Sequence, residues 1–408
     1  MAKVIAIIGA LDTKQEDIEF IKGKIQERGY QVLIIDTGIL GESTLRPDVL
    51  AVDIAQAGGM SLQQLREKAD RGRAIEVMCH GIPLVVSKLY EEGKINAVLG
   101  IGGGAGTAIA TAAMRSLPFG IPKVMISTLA GSSNAEYVGE RDIIMVPSIV
   151  DIAGVNSISA KVYAQAVSAI IGILETEILQ TQKKQTVAAT MFGNTTPAVE
   201  HCKAVLEKRG YEVLVFHATG TGGRTMEMLV REGHINAVLD ITTTELADEL
   251  VGGVMSAGPD RLTAAGAKGI PQIIVPGCLD MVNFWSRDTV PEKFTNRRFY
   301  RWNPNVTLMR TTPQENSELG RIIAGKANEA RGSVAIFLPL KGLSQLDAPG
   351  KEFWWPEANQ ALFSSIKQSL DSKVELYEID CNINDKAFVN ELVKKFREFI
   401  NTMGPIGG

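Results

Sequence analysis

Cysteine is scarce here, and what there is does not cluster. Cys79, Cys202, Cys278 and Cys381 are the four cysteines in 408 residues, none in a CxxC spacing. That excludes a disulfide scaffold and a thiolate zinc site, and it reads as the reduced thiols of a cytoplasmic protein. Histidine is as rare: His80, His201, His217 and His234 stand at no metal-ligand spacing, so no metal centre is read from them. No run of about 18 apolar residues is present to span a membrane. The opening MAKVIAIIGALDTK has too short an apolar run for a secretory leader and carries no cleavage site. Positive charge is not in excess either. The formal net charge of −4 argues against a nucleic-acid-binding surface. Neither a GxxxxGK(S/T) P-loop nor a GxSxG elbow occurs, and no nucleophile–base pair can be assigned from spacing, so no reaction is named from the sequence.

Glycine is plentiful: 40 residues, against 6% aromatics and 45% hydrophobic residues overall. Small residues at turns and close helix–sheet contacts suit an α/β fold. A chain of this length exceeds what one core serves, so two domains are expected. Lys3–Gly9 is a continuous apolar run, as in a parallel strand covered on both faces. A turn Ala10–Lys14 is expected to follow, then a helix with Ile18, Ile21 and Ile25 on one face, and a second strand Gln31–Ile35 ending in Asp36-Thr37-Gly38. The region 39–94 is less regular, with helices expected over 61–80 and 82–92. A strand Ala97–Ile101, a helix from Thr107 and a strand Lys123–Ser127 come next, then a helix across 156–180 and a polar linker, Gln180–Gln185.

The pattern then repeats. ERGYQVLIID at 27–36 returns as KRGYEVLVFH at 208–217, an offset of 208 − 27 = 181. EEGKINAVLGI at 91–101 returns as REGHINAVLDI, an offset of 231 − 91 = 140, and GIPKVMI at 120–126 as GIPQIIV at 269–275. Ordered repeats of strand- and helix-like blocks mean duplication. The fold class is therefore α/β, with two duplicated Rossmann-like doubly wound parallel-sheet domains, residues 1–182 and 183–408. The falling offset puts 181 − 140 = 41 extra residues in the first copy, just before INAVLGIGGGAGT.

In an open doubly wound sheet, ligands sit outside the carboxyl ends of the strands. In the first copy those ends are Gly9–Lys14, Asp36–Gly38, Gly100–Thr107 and Ser127–Asn134. They offer a glycine loop, a lysine, hydroxyls and two acids. Glycines let a phosphate approach the backbone, and the free amides of a helix N-terminus point at it. That inventory suits a nucleotide, with a divalent cation held by its phosphates and one carboxylate, Asp12 or Asp36. In the second copy the glycines become Thr242-Thr243-Thr244-Glu245, which should bind phosphate poorly. There Thr219–Arg224 is a second anion candidate, and Asp240, Glu245 and Asp280 could form an acidic pocket.

GALDTK after the first strand, DTG after the second, GIGGGAGT in mid-domain and LDAPGKEFWWPEANQALF near the end together carry a resemblance. The chain resembles the ATP-binding domain family of the tomato tobamovirus-resistance protein and its uncharacterised bacterial relatives, over essentially its whole length. The resemblance implies ATP and Mg2+ as cofactors of the N-terminal domain and a homodimer. On matching positions it implies nucleotide contacts at Asp12, Thr13, Lys14, Thr37, Gly38, Gly102, Gly103, Gly104, Gly106, Thr107 and Ser132. It also implies a separate barrel-domain protein as partner, because the plant member's further barrel domain has no counterpart before Gly408. Two alternatives stand beside it: an NAD-dependent dehydrogenase-like enzyme, and a small-acid-binding cleft protein without catalysis.

Overall fold

Val4–Gly9 (β1) is apolar throughout because both its faces are covered. Ala6 and Ile8 face one helical layer, with Ile54, Val77, Met78 and Ile109; Ile5 and Ile7 face another, with Ile18, Ile21, Ile25 and Tyr163. This computed structural model describes residues 3–41, 43–132, 134–177 and 184–401. Of the expected linker, 180–183 lie outside the described residues, as does Ser133. The chain divides into two compact units, Met1–Leu179 and Gln180–Gly408.

In the first unit β1 joins β2 (Gln31–Asp36), β3 (Ala97–Gly102), β4 (Lys123–Ser127) and β5 (Ile144–Pro147) in one parallel sheet, ordered β2-β1-β3-β4-β5. The second unit opens with β6 (Thr186–Met191), β7 (Glu212–His217), β8 (Ala237–Thr242) and β9 (Gln272–Gly277). Next come β10 (Met281–Phe284), β11 (Phe299–Asn303) and β12 (Val306–Arg310), a separate antiparallel sheet ordered β10-β12-β11. With β13 (Val334–Pro339) and β14 (Glu375–Ile379), the parallel sheet of this unit reads β7-β6-β8-β9-β13-β14. The order of the first four strands is thus the same in both units. One side chain shows the duplication atom for atom. Asn96 Oδ1 accepts the Val4 amide at 2.8 Å, and its repeat Asn236 accepts the Thr186 amide at 2.9 Å, each pinning the start of β3 or β8 to the strand beside it.

The structure departs from the sequence reading at helix starts and in the insertion. The expected turn Ala10–Lys14 is the first turn of the helix Leu11–Gln26, with a kink at Lys14 (φ −131°, ψ 20°). The helix expected from Thr107 begins three residues earlier, as Gly104–Ser116, and the one expected across 156–180 is Ser159–Glu175. The insertion holds three helices, Ala51–Ala57, Leu62–Lys68 and Arg71–Glu91, where two were expected over 61–80 and 82–92. The break expected between residues 80 and 82 is absent, and the last helix runs through Gly81 and Pro83. A Cβ on Gly81 would lie 1.9 Å from the Ile54 carbonyl oxygen, so this glycine serves a helix crossing. An interior proline costs a helix about 3 kcal/mol; burial of Val77, Met78, Ile82 and Val86 beside it offsets that. Among the described residues no helix is long and apolar enough to cross a membrane.

The order β2-β1-β3 places the reversal of strand order between β1 and β3. Chain leaving β1 and β3 therefore diverges there and leaves a crevice at their carboxyl ends.

Candidate functional site

At that crevice lies a cavity of about 590 Å3, within the range of roughly 300–1,000 Å3 usual for small-molecule sites. Ala10, Asp12 and Thr13 line it from the end of β1, Thr37 from the end of β2, and Ala105 and Gly106 from the first turn after β3. Its other wall comes from the insertion: Leu65 and Arg66, then Ala69 to Arg71, then Ala74 and Ile75. Asp12, Thr13 and Thr37 make the cavity polar at the ends of β1 and β2, while the insertion's wall mixes the apolar Leu65, Ala74 and Ile75 with Arg66, Asp70 and Arg71.

Asp12, Thr13, Thr37 and Gly106 are thus brought together at one cavity. Lys14, Asp36, Gly38, Gly102, Gly103, Gly104, Thr107 and Ser132 lie outside its lining, and most have visible work. Asp36 Oδ1 accepts the amides of Leu11 (3.0 Å) and Gly38 (2.8 Å), capping the first helix. Burial raises the Asp36 carboxyl above its ordinary range against those two bonds, with Asp12 adding to the rise. Thr107 is fully buried, its hydroxyl 2.6 Å from that of Ser127, and its amide donates to Gly103 O at 2.8 Å as the first full helical bond. Ser132 turns its hydroxyl onto Leu129 O. Lys14 sits at the kink of the first helix.

The glycines divide by what surrounds them. A Cβ on Gly102 would lie 2.7 Å from Gly106 Cα, so the strand and helix approach too closely for any side chain. A Cβ on Gly38 would lie 2.8 Å from Asp12 Cγ, so the Asp12 carboxyl leaves no room for a side chain there. On Gly103 or Gly104 an added Cβ would meet no atom nearer than 3.7 or 3.8 Å. Packing does not require glycine at these two positions. The amides of Gly104, Ala105 and Gly106 precede the first helical bond and are open to a ligand. Asp12 Oδ2 accepts the amides of Leu40 (2.9 Å) and Gly41 (3.3 Å); among the described residues no hydrogen bond ties its Oδ1.

The second unit treats the same position differently. Glu245, on the first turn after β8, sends Oε1 to the amides of Gly220 (2.8 Å) and Gly223 (3.1 Å). The chain's own carboxylate thus occupies the anion candidate Thr219–Arg224. Nor is there an open acidic pocket. Asp240, Glu245 and Glu227 surround the fully buried Arg261, with Nε 2.6 Å from Glu245 and Nη1 2.9 Å from Asp240 and 3.2 Å from Glu227. Burial opposes the Arg261 charge, but Asp240, Glu245 and Glu227 outweigh it and hold the guanidinium protonated. Asp280 lies apart, beside Ser344.

Asp248 follows Glu245 by one turn and is fully buried, accepting the Asn283 amide at 2.7 Å and its side-chain N–H at 2.5 Å. Burial, aided by the nearby Glu245 charge, pushes its carboxyl up to about 7. An acid with a raised folded pKa keeps its proton in the folded state over a range where the unfolded chain has lost it. Its contribution to stability therefore falls as pH rises from about 4 to about 7, by roughly 1.4 kcal/mol per pH unit, and is level above. Urea midpoints measured between pH 5 and 8 are expected to show this decline, and Asp248→Asn, which cannot titrate, is expected to lose that part of the slope.

Sequence comparison agrees with the two-unit division. Residues 3–178 match the N-terminal domain of Uncharacterised protein family (UPF0261), and residues 184–400 its C-terminal domain. A UPF0261 protein of Clostridium tetani is 49% identical, over 97% of this chain and 98% of its own. The tomato ToMV resistance protein Tm-1(GCR237) is 41% identical over 96% of this chain, which spans only 55% of that protein's length. Among solved structures, UDP-N-acetylglucosamine 2-epimerase from Rickettsia bellii aligns over 98% of this chain and 96% of its own, at 12% identity and a TM-score of 0.21. The matches across both units place the chain in one family: it belongs to Uncharacterised protein family UPF0261.

Proposed function

We propose that the first unit binds ATP, with magnesium on the phosphates. One observation carries the reading. The cavity at the β1/β3 reversal opens on a helix start whose Gly103 and Gly104 are free of steric demand, while the second unit fills the equivalent place with Glu245. The Gly104–Gly106 amides and the positive end of the helix suit phosphate oxygens. Asp12 Oδ1 fits a cation bridging phosphate and protein, since magnesium takes one or two carboxylates beside the phosphates. Ile39, Leu65, Ala74, Ile75 and Ile109 supply an apolar wall for a base. The homodimer and the separate barrel-domain partner stay with this proposal; the tomato relative is nearly twice the length of the matched segment.

Arg71 sharpens the assignment. Arg66 donates to the carbonyls of Ile39 and Gly41, but among the described residues nothing ties Arg71, which also lines the cavity. A hydrogen bond to a charged partner contributes about 1.5–3 kcal/mol. Titration calorimetry is expected to show one ATP–Mg2+ bound per chain, and Arg71→Gln is expected to weaken it about tenfold while leaving AMP nearly unchanged. No heat at millimolar ATP, or tighter binding of NAD, sinks the proposal.

A further inference from the structure

Thr37 is the buried one among the polar side chains of the first unit's cavity. Asp12 is half-buried and Thr13, Arg66, Asp70 and Arg71 are exposed, whereas Thr37 is 3% exposed. Its amide donates to Gly9 O at 3.0 Å, which holds the residue at the end of β2 beside β1. Its hydroxyl makes no hydrogen bond among the described residues. Buried polar groups are ordinarily paired, because an unmade bond there is costly. Nor is this oxygen sealed in. Five unpartnered side-chain atoms among the described residues are closed to solvent, and Thr37 Oγ1 is not one of them. What it opens on is the cavity that Thr37 lines.

The course of the cavity says which part of a nucleotide arrives there. Ala105 and Gly106 border it at the glycine helix, and from there it passes Ala10, Asp12 and Thr13 to Thr37; no described residue of β4 or of the loop after it takes part. β2 lies two places from β3 in the sheet. Neighbouring strands are about 4.8 Å apart, so the path from the glycine amides to Thr37 is roughly 10 Å. Phosphates take the beginning of that path, and the ribose is the next group along it. The base then follows against Ile39, two residues past Thr37, with Leu65 and Ile75. Asp36, the acid at the end of β2, does not line the cavity, and its Oδ1 holds the amides of Leu11 and Gly38. A hydroxyl stands in its place, and a hydroxyl can both donate to and accept from a sugar O–H.

We propose that Thr37 Oγ1 pairs with a ribose hydroxyl and makes the site selective for the intact ribose. The inference rests on the nucleotide reading of this cavity and adds the sugar to it.

The test is titration calorimetry of the whole chain with ATP, 2′-deoxy-ATP and 3′-deoxy-ATP, each with Mg2+. At least one deoxy form is expected to bind about fivefold more weakly than ATP, the effect of one hydrogen bond between neutral groups. Thr37→Val keeps the branched shape and removes the hydroxyl. It is expected to bring ATP down to the affinity of that deoxy form and to leave the deoxy form itself nearly unchanged. Its melting temperature without nucleotide should be equal or higher, because what it loses is an unpaired buried hydroxyl; a hydroxyl with a merely structural role would give a fall. Should Thr37→Val fail to fold, Thr37→Ser, which keeps the hydroxyl, must still prefer ATP. Equal binding of all three nucleotides by the unaltered chain overturns the proposal and leaves the nucleotide reading standing. A preference for ATP that survives in Thr37→Val does the same. Absence of heat with all three overturns the nucleotide reading itself, and this inference with it.

Discussion

Replacing Arg261 by methionine is expected to unfold the second unit at neutral pH. The guanidinium is fully buried and answers three carboxylates, Asp240, Glu245 and Glu227, which are themselves at most 5% exposed. Methionine is close to it in volume, so the effect is electrostatic rather than a cavity. Removing one partner of a buried ion pair costs about 3–5 kcal/mol because the other charge stays in a poorly polarisable interior. Here one removal strands three acids. Whole domains are stable by only about 5–15 kcal/mol, so tryptophan fluorescence should show a large fall in the urea midpoint or no cooperative transition. The pH dependence separates this from a packing fault. Without Arg261 the three carboxyls have folded pKa values above their unfolded ones. The deficit must then shrink as pH falls toward 5 and the acids take up protons. A deficit that does not change with pH refutes the electrostatic account.

That cluster was only half legible. Asp240 and Glu245 stand out because the repeat sets them against Gly100 and Ala105, where the first copy has no charge. Their partner does not. Arg261 lies 16 residues beyond Glu245 and 34 beyond Glu227, in a segment without periodicity, so nothing local announces the meeting. The strands were legible for the opposite reason. Parallel strands covered on both faces must be apolar at consecutive positions, and a pattern of that kind survives without knowledge of neighbours. The glycine loop was visible as composition, yet the division of labour within it was not. Gly102 answers Gly106 across the strand–helix turn, while a Cβ on Gly103 or Gly104 would meet only ordinary van der Waals neighbours, a difference only three dimensions supply. The cavity wall was hidden deepest. Leu65, Arg66 and Arg71 come from an insertion with no counterpart in the second copy; its length was evident from the repeat offsets, its facing was not.

The two copies suggest their own exchange experiment. Ala105 occupies the position that Glu245 holds in the second unit, one residue into the helix after β3 or β8. It lines the cavity, and the end of β2 lies across from it with Thr37, Ile39 and Leu40. In the second unit the equivalent loop, after β7, donates the Gly220 and Gly223 amides to the Glu245 carboxylate. Ala105→Glu therefore puts a fixed negative charge where the phosphates are proposed to lie, and near the same positive helix end. The substitution should be benign to the fold. Ala105 is half-buried beside an open cavity, and an acid in the first turn of a helix is favourable by about 0.3–1 kcal/mol. Binding is a different matter. A carboxylate beside a triphosphate adds like-charge repulsion in a partly enclosed site and covers amides the phosphates need. ATP–Mg2+ is expected to bind at least a hundredfold more weakly, a loss of about 2.7 kcal/mol, with thermal stability unchanged or slightly raised in the absence of nucleotide. Ala105→Gln, of similar size without the charge, should lose much less. Equal losses in the two variants would mean that bulk alone closes the cavity, and undiminished binding in Ala105→Glu would remove the phosphate from this helix start altogether.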